Sequence, residues 1–145
     1  MTRGGAILVF DEDSAILSLL EEYFENLDYE TQVAHSAEGA LEILRTQSIS
    51  VAVIGIRTNQ TQDMDVIKRL VKIDPDLKII LISGYPTIDS TICAMRYGVF
   101  DFIIKPFRLE QLEQIVKSAY RQPCFNMRIK QLEKIVAELE SAVST

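Results

Sequence analysis

Ser50-Val51-Ala52-Val53-Ile54-Gly55 is a short, near-continuous apolar run that closes on a glycine. Strands buried on both faces read this way, because helices covering a parallel sheet leave no solvent face for polar residues. Runs of the same kind occur at Ala6 to Phe10, Thr31 to Ala34, Lys78 to Ile82 and Phe100 to Ile104. Between them the period changes from two to three and four. Ile16, Leu19, Leu20, Tyr23, Phe24 and Leu27 form one helical stripe, with Ser14 as its expected cap. Ala37, Ala40, Leu41 and Leu44 form the next, opened by Ser36. Met64, Ile67, Leu70 and Val71 form a third, ended by Asp74-Pro75. Ile88, Ile92, Met95 and Val99 form a fourth, closed by Gly98, and Leu109, Leu112, Ile115, Val116 and Ala119 a fifth.

Five strands alternating with five helices predict an α/β domain: a doubly wound, five-stranded parallel sheet with helices on both faces. Chemistry in such sheets gathers at the carboxyl ends of the strands. Those ends carry Asp11 and Glu12, Gly55, Ser83 and Lys105.

The chain has 145 residues, 48% hydrophobic and 25% charged, which suits one domain and a short appendage. Its net charge of −6, from 15 Lys and Arg against 21 Asp and Glu, argues against direct nucleic-acid binding, which rests on neutralising phosphates. No apolar run reaches the roughly eighteen residues of a membrane span, and no signal peptide is evident, so the cytoplasm is the expected compartment. Cys93 and Cys124 form no CxxC motif, and the single histidine, His35, has no metal-ligand neighbours, so zinc is not expected.

Pro123 breaks the helical pattern, dividing the chain into a domain at 1–122 and an amphipathic segment at 123–145. There Phe125, Ile129, Leu132, Val136, Leu139 and Val143 follow one another at intervals of 4, 3, 4, 3 and 4. This is a heptad seam, and it favours pairing with a second helix over folding back on the domain. The segment is expected to be a coiled coil or a linker to an effector, and a homodimer is expected through the heptads, the face of the fourth and fifth helices, or both.

Residues 5 to 121 resemble a receiver domain of the bacterial response-regulator family, a flavodoxin-like fold. The carriers are Ile7-Leu8-Val9-Phe10-Asp11-Glu12-Asp13, Ser83-Gly84, and Tyr97-Gly98-Val99-Phe100-Asp101-Phe102-Ile103-Ile104-Lys105-Pro106-Phe107. Singly they are weak; their order and placement at strand ends are specific. The resemblance implies two-component, phosphorelay signalling. In that family an acidic pair after the first strand helps hold Mg²⁺, and Asp11 and Glu12 match it. A hydroxyl after the fourth strand and a lysine after the fifth contact the phosphoryl group, and Ser83 and Lys105 match them. An aromatic of the fifth strand responds by turning inward, and Phe102 matches it. The partner face would include Tyr97 and Arg96.

Gly55 departs from the pattern, for the family's phosphoacceptor aspartate stands at that position. Glycine has no side chain to phosphorylate. The loop after it, Thr58 to Gln62, also lacks the usual proline and glycine. Weak Mg²⁺ binding is the most that Asp11 and Glu12 would then support, and no other cofactor is implied. Lys105, without its acceptor, would pair with Asp11 or Glu12. The resulting expectation is a phosphorylation-independent signalling module, not an enzyme, that docks protein partners such as a sensor kinase or a downstream effector. Two alternatives stand beside it. One is a small-molecule sensor with Thr58 to Gln62 lining a strand-end crevice. The other is a phosphoacceptor using a non-standard residue, with Asp63 and Asp65 as the nearest candidates.

Overall fold

The computed structural model describes residues 5–56, 61–84, 87–122 and 134–142. The elements alternate strictly: β1 (Ala6–Phe10), α1 (Ser14–Asn26), β2 (Thr31–Ala34), α2 (Ala37–Thr46), β3 (Ile49–Ile56), α3 (Thr61–Ile73), β4 (Lys78–Ser83), α4 (Ile88–Arg96), β5 (Asp101–Ile104) and α5 (Leu109–Arg121). The five strands form one parallel sheet in the order β2-β1-β3-β4-β5. The expected fold is present.

Period-two alternation along the central strands divides the core. Ala6, Leu8 and Phe10 of β1, Ala52, Ile54 and Ile56 of β3, and Ile79 and Leu81 of β4 pack with α2, α3 and α4. Ile7, Val9, Val51, Val53, Ile80 and Ile82 point to the other face, against Leu17, Leu20 and Phe24 of α1 and Leu112, Val116 and Ala119 of α5. Each fully buried Leu, Ile or Phe contributes about 1.5–3 kcal/mol through removal from water.

Three local readings are corrected. The cap of α1 is Asp13 rather than Ser14: the Asp13 carboxylate accepts the Ala15 N–H at 2.9 Å, and Ser14 is the first helical residue. On α1 the buried set is Leu17, Leu20 and Phe24, while Leu19 is exposed. The α4 stripe is split: Ile88 is 79% and Ile92 46% exposed, while Met95 packs against the core and Val99, just past the helix, is buried, and the helix itself buries Ser90 and Ala94. Small side chains let α4 sit close to its neighbours, and Ser90 tolerates burial because its hydroxyl is spent in a capping box with Thr87. Gly98 follows α4 with a φ of 82°, a left-handed conformation that suits glycine and lets Val99 turn back into the core.

Residues 134–142 are helical, with Val136 50% and Leu139 53% exposed. Phe125, Ile129, Leu132 and Val143 of the heptad seam lie outside the described residues, as do Cys124 and the loop positions Thr58, Asn59 and Gln60. Among the described residues, no helix is long and apolar enough to cross a membrane.

Candidate functional site

Strand register assembles the site. Phe10 of β1 pairs with Ile54 of β3, so Asp11, one residue on, comes beside Gly55. Gly55 pairs with Ile82, which brings Ser83 level with Ile56. Ser83 in turn pairs with Ile104, the residue before Lys105. Four strand ends therefore deliver Asp11, Gly55, Ser83 and Lys105 to one edge of the sheet. The backbone N–H of Lys105 donates to the Ser83 carbonyl at 2.8 Å, joining the last two of these ends. The Lys105–Pro106 peptide bond is cis.

Asp11 is the centre of this edge. It is 3% exposed. Its Oδ1 accepts the Asp13 N–H at 2.9 Å, and its Oδ2 faces the Lys105 Nζ at 3.2 Å. The Lys105 side chain is 26% exposed, so this ion pair is half-sheltered. Most telling is where the carboxylate lies. A Cβ built on Gly55 would meet the Asp11 Cγ at 2.5 Å and its Cβ at 3.1 Å. Real Cβ contacts do not come so close, so the Asp11 side chain occupies the space a side chain at position 55 would need. The Asp11 carboxylate, one residue past β1, thus lies over Gly55 and is paired with Lys105.

The same geometry bears on Mg²⁺. Asp11 accepts a backbone N–H on one oxygen and faces Lys105 with the other, Gly55 supplies no side-chain oxygen, and Glu12 is exposed. Among the described residues, no three His, Cys, Asp or Glu side chains gather to hold a metal ion. Mg²⁺ is commonly held by one or two carboxylates with water, so Asp11 and Glu12 are the residues that would hold it, with Lys105 competing for Asp11.

Ser83, at this same edge, is 1% exposed at the end of β4. The remaining candidates are dispersed. Phe102, the second residue of β5, is half-buried and packs with Tyr97 against the α2–α4 side of the core. Arg96, the last residue of α4, is exposed. Asp63 and Asp65 fall inside α3, and His35 is exposed just after β2. A groove of about 370 Å³ runs between α3 and α4, lined by Met64, Asp65, Lys68, Asp89, Cys93 and Tyr97. Sequence reasoning did not find it, since it depends on how far apart two helices sit.

The family model for the response regulator receiver domain matches residues 7–117. The chain belongs to that family, the receiver domains of two-component response regulators. Such domains are generally signalling modules rather than enzymes, and they interact with proteins such as kinases and effectors. Similar proteins include the regulatory protein AtoC of Escherichia coli, 26% identical over all 145 residues, and the response regulator protein PilR of Pseudomonas aeruginosa, 28% identical over 83% of this chain. The chain spans 30% of AtoC and 27% of PilR, under a third of each. A receiver domain structure from Clostridium thermocellum superposes with a TM-score of 0.72 at 28% identity, covering 80% of this chain and 94% of its own. A CheY-like receiver from Methanospirillum hungatei shares the fold at a TM-score of 0.73 and 20% identity, over 90% of this chain and 98% of its own.

Proposed function

We propose that this chain is a receiver module that signals without taking up a phosphoryl group at position 55, acting by protein docking and self-association in the cytoplasm. One observation carries the reading: the Asp11 carboxylate fills the space beside Gly55 and is already neutralised by Lys105. Phosphoryl transfer needs a nucleophile and electrostatic stabilisation of the charge that builds on the transferring group. The acceptor position has no nucleophile, and the lysine is engaged. Ser83 and Lys105 then remain as a vestigial phosphate site, and the domain holds one state instead of switching between two.

Docking surface is at hand. Ile88 and Ile92 of α4 and Ile104 of β5 are exposed, with Arg96, Tyr97 and Phe102 close in sequence. Exposed apolar side chains grouped on neighbouring elements favour protein partners. Residues 1–122 form the receiver unit in this reading. Residues 123–145 form a pairing helix or the connection to an effector, with Phe125, Ile129, Leu132, Val136 and Leu139 on its seam. The similarity to AtoC runs through this segment, which supports treating it as part of the working chain.

The test is intact-mass measurement after incubation with Mg²⁺ and acetyl phosphate, beside a Gly55→Asp variant. The natural chain is expected to gain no phosphoryl group, and the variant to gain one wherever Asp11 can turn aside. A phosphoryl adduct on the natural chain that is released by acid, by base and by hydroxylamine, as an acyl phosphate is, would overturn the proposal and direct attention to Asp63 and Asp65.

A further inference from the structure

The edge of the sheet opposite Asp11 holds a second polar arrangement. Lys78 opens β4 inside an otherwise apolar run, and it is only 6% exposed. Its ammonium donates to the carbonyls of Ala119 and Gln122, the last turn and the cap of α5. The same ammonium lies 6.0 Å from the centre of the Phe100 ring. One residue from Ala119, the Tyr120 hydroxyl donates to the Gly5 carbonyl at 2.7 Å, just before β1, and its ring stacks at a tilt on Tyr29. Gln122 itself is extended, with φ −88° and ψ 137°, the region a following proline imposes, and Pro123 follows.

Burying an ammonium is unfavourable unless its protons are satisfied, and an apolar residue would pack here without that requirement. A cation at a helix C-terminus satisfies carbonyls that have no intrahelical donor and complements the helix dipole. Both carbonyls it takes belong to the point where the chain stops being α5. Three constraints therefore converge on one residue pair: Lys78 from β4, Tyr120 bound to the start of β1, and the proline that follows Gln122.

We propose that Lys78 and Tyr120 are positioning residues that fix the last turn of α5 and the direction in which the chain leaves it at Gln122. The clamp stands on β4, whose other end carries Ser83, so the exit is referenced to the same rigid strand as the site. It stands independently of what happens at Gly55.

The test uses the whole chain with Cys93→Ser and Cys124→Ser, and nitroxide labels introduced by Glu42→Cys on α2 and Gln122→Cys at the end of α5. Labelled protein is diluted into unlabelled protein, so that only the distance within one chain is read. The natural clamp is expected to give one narrow distance distribution. Lys78→Met, and more weakly Tyr120→Phe, is expected to broaden or shift it while circular dichroism stays unchanged. A broad distribution in the natural clamp overturns the proposal, and so does an unchanged one in folded Lys78→Met. If Lys78→Met does not fold, Tyr120→Phe decides, and an unchanged distribution there overturns it equally. A loss of thermal stability alone would not support the proposal, because any packing residue would show one.

Discussion

A methyl group at position 55 would lie 2.5 Å from the Asp11 carboxyl carbon and 3.1 Å from its Cβ. Rotating the Asp11 carboxyl group away from Lys105 relieves the contact with its Cγ, and the tight contact with Cβ, which no side-chain rotation moves, needs a backbone shift of a few tenths of an ångström. Gly55→Ala is therefore expected to destabilise the domain by about 1–3 kcal/mol, the range for overpacking a closed site, as read from urea denaturation midpoints. In an Asp11→Ala background the same substitution should cost less, because the carboxyl group is gone and only the tight contact with Cβ remains. Equal costs in the two backgrounds would show that Asp11 does not fill the space. The chemistry at this scale was legible in the sequence: a glycine at a strand end, two acids, a hydroxyl and a lysine, and a lysine in need of a partner. Which acid Lys105 meets, and that it lies over the glycine, was not. That depends on strand register and a side-chain rotamer, and sequence patterns carry neither.

Helices α1 and α5 are joined by a polar bridge whose effect changes with pH. The Tyr23 hydroxyl donates to a Glu113 oxygen at 2.6 Å, and Lys117 pairs with the other oxygen at 3.0 Å. The hydrogen bond to Glu113, with burial and the nearby charges of Glu113 and Glu110 adding, pushes the Tyr23 phenol up from 10.0 to about 12. The bond from Tyr23, then the one from Lys117, holds the Glu113 carboxyl below its ordinary 4.5. A lowered carboxyl contributes stability above pH 4.5 and loses it as pH falls through its folded value. A raised phenol contributes below pH 10 and loses its part as pH rises toward 12. Tyr23→Phe should therefore fall furthest below the natural chain between those limits and approach it on both acidic and strongly alkaline sides. Thermal melts across the range check this, and a pH-independent difference would mean that the bridge is only packing. The strand and helix pattern was readable because each element follows one period. The outward half of the α4 stripe, Ile88 and Ile92, shows the limit of that reading. Spacing reveals a stripe without saying which way it faces, and Ser90 and Ala94 could occupy the inner side because a capping bond satisfied the serine.

For the molecule as a whole, order of elements and sheet class followed from alternation alone, since right-handed crossovers leave few topologies for five strands and five helices. The C-terminal seam is a matter of assembly, and one chain's pattern shows the need for a partner without showing the partner. Leu132→Asp combined with Leu139→Asp is expected to reduce the solution mass from dimer to monomer, by light scattering, while the sheet domain keeps its melting temperature. An unchanged mass would remove the coiled coil from the account. The filled space beside Gly55 also has an evolutionary meaning. Glycine and aspartate codons can differ by a single base, so the genetic route back to an acceptor is short. The physical route is longer: the first step along it evicts a seated carboxylate and lowers stability before any phosphate can be gained. In the proposed reading, loss of the acceptor, once Asp11 has taken its seat, works as a ratchet, and descendants of such a chain would more readily refine the docking faces than recover the chemistry.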